Sequence, residues 1–191
     1  MNKHQLILIT ITILLPLFLL ILSYKLVLAF ADLSEDQQSV IDYLQKEKEI
    51  NPGFSQNELS HLQDVKEVMK WVDYFFYFSL LVITLIVTYS RRNKEQLVKF
   101  FKYGGISALI FITAIILSSI LFFNQVFTLF HILFFPQGNW TFPGNSLLIQ
   151  TFPLEFFMGI SRNIFLLTLA EGILFILLFL YLRNDLKNKR P

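Results

Sequence analysis

Four long apolar runs, separated by polar or charged intervals, organise the chain. They cover about residues 6–29, 71–89, 104–123 and 164–182. A helix crosses a hydrocarbon core with about 20 residues, so each run predicts a membrane span. The intervals at about 30–70 and 124–163 leave no room for a separate soluble domain. The pattern therefore predicts an all-α fold: one integral membrane domain over 1–191, with four transmembrane helices in a bundle. The N-terminal run resembles a secretory signal, with a basic start at Met1–Lys3 and Ala29-Phe30-Ala31 as a cleavage-like site. It exceeds the about 7–15 apolar residues of a cleaved signal, so a retained helix is expected.

The two polar intervals carry their own patterns. Ser34–Glu49 reads as a helix, with Ser34 as N-cap and Val40, Ile41 and Leu44 at helical spacing. Asn51-Pro52-Gly53 breaks it. A second helix starts near Ser55, with Glu58 completing a capping box. It carries Leu59, Leu62, Val65, Val68 and Met69 on one broad side and runs into the second span. In the other interval, Val126–Phe135 is almost wholly apolar but too short to span. It predicts a segment lying in the interface or dipping into the bundle. Pro136–Trp140 and Pro143-Gly144-Asn145 read as turns, and Leu147–Ile160 as a second interfacial stretch.

Charge sets the expected orientation. Lys3 precedes the first run, and Arg91, Arg92, Lys94, Lys99 and Lys102 crowd the link between the second and third. Arg183, Lys187, Lys189 and Arg190 follow the fourth. Basic residues flank cytoplasmic ends, so both termini are expected in the cytoplasm of a multi-pass cell-membrane protein. Both long intervals are then extracytoplasmic. Net charge is only +2, which argues against nucleic acid as a partner.

Composition narrows the chemistry. Cysteine is absent, which excludes a thiol nucleophile, an acyl-cysteine intermediate and thiolate metal sites. GxSxG, HExxH, P-loop and dinucleotide motifs are absent too. The 22 phenylalanines suit a surface facing lipid or an acyl chain. Of three histidines, His61 and His131 fall in the two outer intervals, and His4 beside the first span. Histidine moves protons near neutral pH, which makes the outer pair the leading chemical candidates. His61 and Asp64 are three apart, so they share a helix face where the carboxylate can orient the imidazole. A solvated helix face and a core histidine are the structural alternatives. A metal site from His61, His131 and Asp64 has no compact ligand spacing behind it. Charges at membrane depth are Glu171, Lys25 and Asp73, with Arg162 just outside the fourth span.

These residues resemble a known family. His61-x-x-Asp64-Val65-Lys66, then Phe130-His131-Ile132-Leu133-Phe134-Phe135-x-x-Gly138-x-Trp140-x-Phe142, then Leu148-Ile149 and Phe152-Pro153, are similar to the lipoprotein intramolecular transacylase (Lit) family. The resemblance covers the whole layout. It departs at Ser146, where the family usually has Asp, at Leu154 inside the usual Pro-Glu pair, and at Phe157, where tryptophan is usual. It implies transfer of the sn-2 acyl chain of a diacylglyceryl lipoprotein to the α-amino group of its N-terminal cysteine, giving the lyso form. The implied catalytic residues are His61, His131 and Asp64. Trp140, Phe134, Phe142 and Arg162 are the expected substrate-binding residues.

That chemistry suits the residues. Aminolysis of an ester needs a base towards the amine and help for the departing alkoxide. His61, oriented by Asp64, is the expected base and His131 the acid, or the reverse. Amine and ester belong to one substrate, so no enzyme nucleophile and no cofactor is expected. The expected partners are diacylglyceryl-modified lipoproteins and membrane lipid. Two other readings stand beside this one: a non-catalytic lipid-binding scaffold or assembly factor, and a diverged membrane acyltransferase or lipid hydrolase. The transacylase reading requires both imidazoles to face one outer cavity.

Overall fold

A computed structural model describes residues 3–46, 48–50 and 53–188. Among the described residues seven helices follow one another: α1 (Lys3–Ala29), α2 (Glu35–Lys46), α3 (Gln56–Ser90), α4 (Lys94–Leu121), α5 (Phe123–Phe134), α6 (Leu147–Thr151) and α7 (Leu154–Asn188). No strand occurs among the described residues. Helices α1, α3, α4 and α7 are long and apolar enough to cross a membrane, and the chain is a multi-pass membrane protein. Asn51 and Pro52 of the expected breaker, and Lys189 and Arg190 of the basic tail, lie outside the described residues.

The bundle core is built from one stripe of α1. Ile11, Leu15, Phe18 and Leu19 pack with Ile83 of α3 and with Phe100 and Ala108 of α4. Helix α4 makes its largest interface with α7 and its next with α1. Small residues allow that approach. A Cβ on Gly172 would stand 2.8 Å from Leu109 Cδ2, and one on Gly105 would stand 3.0 Å from Phe175 Cβ.

Polar groups at membrane depth are paired across helices. Thr168 Oγ1 donates to Ser23 Oγ at 2.9 Å, and Ser23 Oγ donates to Glu171 Oε2 at 3.0 Å, tying α1 to α7. Lys25 pairs with Asp73, tying α1 to α3. Four ends meet on one side of the bundle: His4 of α1 shares a cleft with the α3–α4 link. Lys94 at the start of α4 pairs with Asp185 near the end of α7 at 3.1 Å.

On the other side, α3 and α7 outrun the hydrocarbon. Each has 35 residues, about 52 Å of helix against a core of about 30 Å. The first turns of α3 carry a second, separate apolar layer. It joins Val40 and Leu44 of α2, Phe54, Leu62 of α3, Leu148 and Phe152. Leu147–Ile160, expected as one interfacial stretch, divides into α6 and the opening of α7. Pro153 lacks an N–H and fixes φ, which ends one helix and starts the next. Val126–Phe135 is largely α5, a helix with no buried residue.

Candidate active site

The outer layer is pinned by Glu58. Ser55 caps α3, and its backbone N–H and hydroxyl both donate to Glu58 Oε2 at 2.7 Å. This is the capping box the sequence predicts. The other carboxylate oxygen accepts from Leu148 N–H at 2.7 Å, so one side chain anchors two helix starts. Burial works against this carboxylate. Donors from Leu148, Ser55 and Leu147 outweigh it and hold the carboxyl below its ordinary value. Ser146 caps α6 by accepting from Ile149 N–H at 3.4 Å. Serine and aspartate are comparable N-caps, so the departure at Ser146 preserves a cap.

His61 lies in α3, two turns after Ser55, and is buried. Aromatic rings surround it: Phe135 at 4.8 Å between centroids and Phe142 at 5.5 Å. His131 lies in the last turn of α5 and is half-buried. Its ring sits 4.8 Å from Trp140, 4.1 Å from Phe127 and 5.8 Å from Phe135. The structure thus brings the two histidines, seventy positions apart in sequence, against a common buried ring, Phe135. The two clefts that stand out among the described residues lie elsewhere, and neither histidine lines them.

The nitrogen atoms have distinct environments. His131 Nδ1 is 2.8 Å from the carbonyl oxygen of Phe127. Only an N–H can donate to a carbonyl, so Nδ1 carries hydrogen and neutral His131 presents its lone pair at Nε2. His61 Nδ1 is buried and has no hydrogen-bond partner among the described residues. Burial lowers the pKa of His61, and the positive charge available to nearby His131 lowers it further. Asp64 and Asn139 oppose that shift without cancelling it. Two neighbouring imidazoles disfavour a second proton, so the pair favours one base and one neutral donor.

Asp64 engages a residue that sequence reasoning did not select. Its Oδ2 accepts from Asn139 Nδ2 at 2.7 Å, and the same amide donates to Ser60 Oγ at 3.1 Å. Asn139 Oδ1 is buried without a partner among the described residues. Its amide favours protonated His61, although no bond of normal geometry joins them. Asp64 therefore reaches His61 through its charge and through Asn139. The only sequence signal for Asn139 was a polar residue in the turn Pro136–Trp140.

The expected substrate-binding residues divide. Phe142 packs on His61 and Trp140 on His131. Phe134 makes no ring contact with either histidine among the described residues but packs at 4.8 Å on Phe130, whose ring lies 5.4 Å from His131. Arg162 is exposed in the third turn of α7 and makes no ion pair among the described residues. Among those residues no group of three His, Cys, Asp or Glu gathers at metal-binding distance.

Comparison with known proteins bears on the family and the fold. A family model for lipoprotein intramolecular transacylase Lit matches residues 5–157. A solved structure of the membrane-integral Lit from Bacillus cereus superposes with a TM-score of 0.85 at 24% identity, covering 97% of this chain and 98% of that one. A variant of the same protein, with one histidine replaced by arginine, matches at 0.80 and 22% identity, covering 98% and 95%. These structures establish the fold. No curated protein matches the chain by sequence.

Proposed function

The chain belongs to the lipoprotein intramolecular transacylase Lit family, and we propose from that premise that it moves the sn-2 acyl chain of a diacylglyceryl lipoprotein to the α-amino group of the N-terminal cysteine. The observation that carries this reading is the convergence of His61 and His131 on Phe135, with the His131 tautomer set by a backbone carbonyl. The alkyl-rich surface of α5 and the aromatic rings beside the histidines suit a lipid substrate.

The reaction balances within one substrate. The cysteine amine, neutral above its ordinary pKa of about 7.7–8.0, attacks the ester carbonyl, and a C–N bond forms. His131 Nε2 takes the amine proton. The C–O bond to glycerol breaks, and the imidazolium returns the proton to the glycerol oxygen. His61, kept neutral by burial and by its neighbour, donates a hydrogen bond to the carbonyl oxygen as charge develops there. This assigns the base to His131, the reverse of the first expectation, because its lone pair is free at Nε2. Asp64 and Asn139 act on His61 by favouring its protonated form, against burial and His131. Holding amine and ester together supplies the effective concentration that an enzyme nucleophile would otherwise replace.

The reading includes a membrane side. Lys3, Arg91, Arg92, Lys94, Lys99, Lys102 and Arg183 lie toward the ends remote from His61 and His131, which supports an extracytoplasmic place for that pair. The test is mass spectrometry of a lipoprotein's N-terminal peptide, co-expressed in a host lacking N-acylation. The parent chain should yield the N-acylated lyso peptide, and stably inserted His61→Gln and His131→Gln chains should not. An unchanged diacylglyceryl peptide beside well-inserted parent protein would contradict the assignment.

A further inference from the structure

A cleft remote from His61 and His131 has no part in the chemistry above. Arg91 follows His61 by thirty positions on α3 and its cap, about 45 Å along the helix, so the cleft opens at the opposite membrane face. It is lined by His4, Leu85, Thr88, Tyr89, Arg91, Arg92, Asn93 and Gln96.

Three features of that lining favour a phosphate. Arg91 and Arg92 form no ion pair among the described residues, and a guanidinium fork matches phosphate oxygens. The start of α4, a 28-residue helix, adds the positive end of its dipole. Asn93 already accepts from the Glu95 and Gln96 amides, so the dipole and the side chains supply the attraction, rather than those amides. The third feature is independent of charge. Gln96 is 8% exposed, and its Nε2, which needs acceptors, has none among the described residues. Buried donors in native structures are ordinarily satisfied. Gln96 lines the cleft, so reorientation of its amide would bring this donor to a phosphate oxygen there, and no acidic side chain among the described residues lines the cleft to compete for it.

The apolar part of the wall selects the source. Leu85, Thr88 and Tyr89 lie on the last turns of the α3 span, facing hydrocarbon depth. A phosphate carrying acyl chains can seat its headgroup at the arginines and lay a chain along Leu85. Free phosphate has no use for that wall.

We infer that this cleft binds the phosphate of a membrane phospholipid, in the leaflet opposite the histidine pair. It would hold the α3–α4 link to that leaflet and fix the depth at which α3 carries His61.

Saturable thermal stabilisation of the full chain, in non-ionic detergent, tests it. Dihexanoyl phosphatidylglycerol should raise the melting temperature along a binding curve. Gln96→Leu, which removes the buried donor and keeps every charge, should weaken binding about tenfold, as loss of a charge-assisted hydrogen bond does. Arg92→Gln should weaken it as well, with Lys94, Lys99 and Lys102 retaining the basic character of the link. Inorganic phosphate at the same concentration should stabilise far less. Equal stabilisation by phosphate alone would overturn the lipid as source. Unaltered lipid binding in both variants would overturn the site. Either variant suffices, so failure of one to fold leaves the other to decide.

Discussion

A backbone bond sets the tautomer of His131, the group to which the proposed mechanism gives the proton transfer. The Phe127 carbonyl holds Nδ1–H, so the lone pair of neutral His131 lies on Nε2. His61 is prepared differently, by burial among rings and by a neighbour that opposes its charge. The balance around His61 predicts shifts of definite sign. In the parent, His61 should titrate below the ordinary histidine value of about 6.5. His131→Gln removes a lowering influence, so the His61 pKa should rise. Asp64→Asn and Asn139→Ala each remove a raising influence, so it should fall further. With three histidines in the chain, imidazole carbon NMR can follow all of them. A fall in His131→Gln, or a rise in Asp64→Asn, would contradict this electrostatic account. The sequence singles out His61, His131 and Asp64 without showing that the two histidines meet, and it does not single out Asn139. A carboxylate three residues on suggests a direct contact with the imidazole. The carboxylate instead bonds an amide 75 positions away, and local spacing holds no information about that contact.

At the scale of elements, Glu58 connects the histidine-bearing helix to the loop that completes the site. Its four-donor environment joins the starts of α3 and α6. Glu58→Ala leaves buried N–H groups unsatisfied and should cost about 3 kcal/mol in the outer layer. Limited proteolysis between α5 and α7 should accelerate, and Glu58→Gln, which keeps an acceptor, should cost less. Resistance equal to the parent in Glu58→Ala would contradict this role. The carboxyl is held below its ordinary value, so its contribution is fully present above about pH 4.3 and is lost as pH falls through the lower folded value. The capping box was legible because both partners lie within one turn. The Leu148 bond was not, since it crosses 90 positions. The helix that starts near Ser55 and runs into the second span was legible for the same reason, since its cap is local and its apolar side continues at helical spacing. The start of α7 was not, because hydropathy marks the lipid-facing part of a helix and α7 begins at Leu154, before that part.

For the molecule as a whole, four spanning helices were legible because each apolar run matches membrane thickness and basic residues punctuate the runs. The separation into a bundle core and an outer apolar layer was not, because both draw on the same residue types. The assigned orientation predicts which surfaces reach the outside of the cell. The chain lacks cysteine, so single cysteines can be introduced without background. Gly144 sits in an exposed turn, where an added Cβ meets nothing within 4 Å. Gly144→Cys should react with a membrane-impermeant maleimide in intact cells, while Lys94→Cys should react only after lysis. The opposite pattern would reverse the membrane side assigned to the histidines.

Transfer within one substrate molecule, carried by the His131 imidazole, is the central claim. The most direct measurement is a crossover experiment with purified protein and two diacylglyceryl peptides in one mixture. One peptide would carry an isotope-labelled sn-2 chain and the other a distinguishable sequence with an unlabelled chain. Tandem mass spectrometry should find label on the amine of the first peptide alone, with His131→Gln slowed by about a hundredfold or more. Label on the amine of the second peptide, or an undiminished rate in a folded His131→Gln chain, would contradict the account.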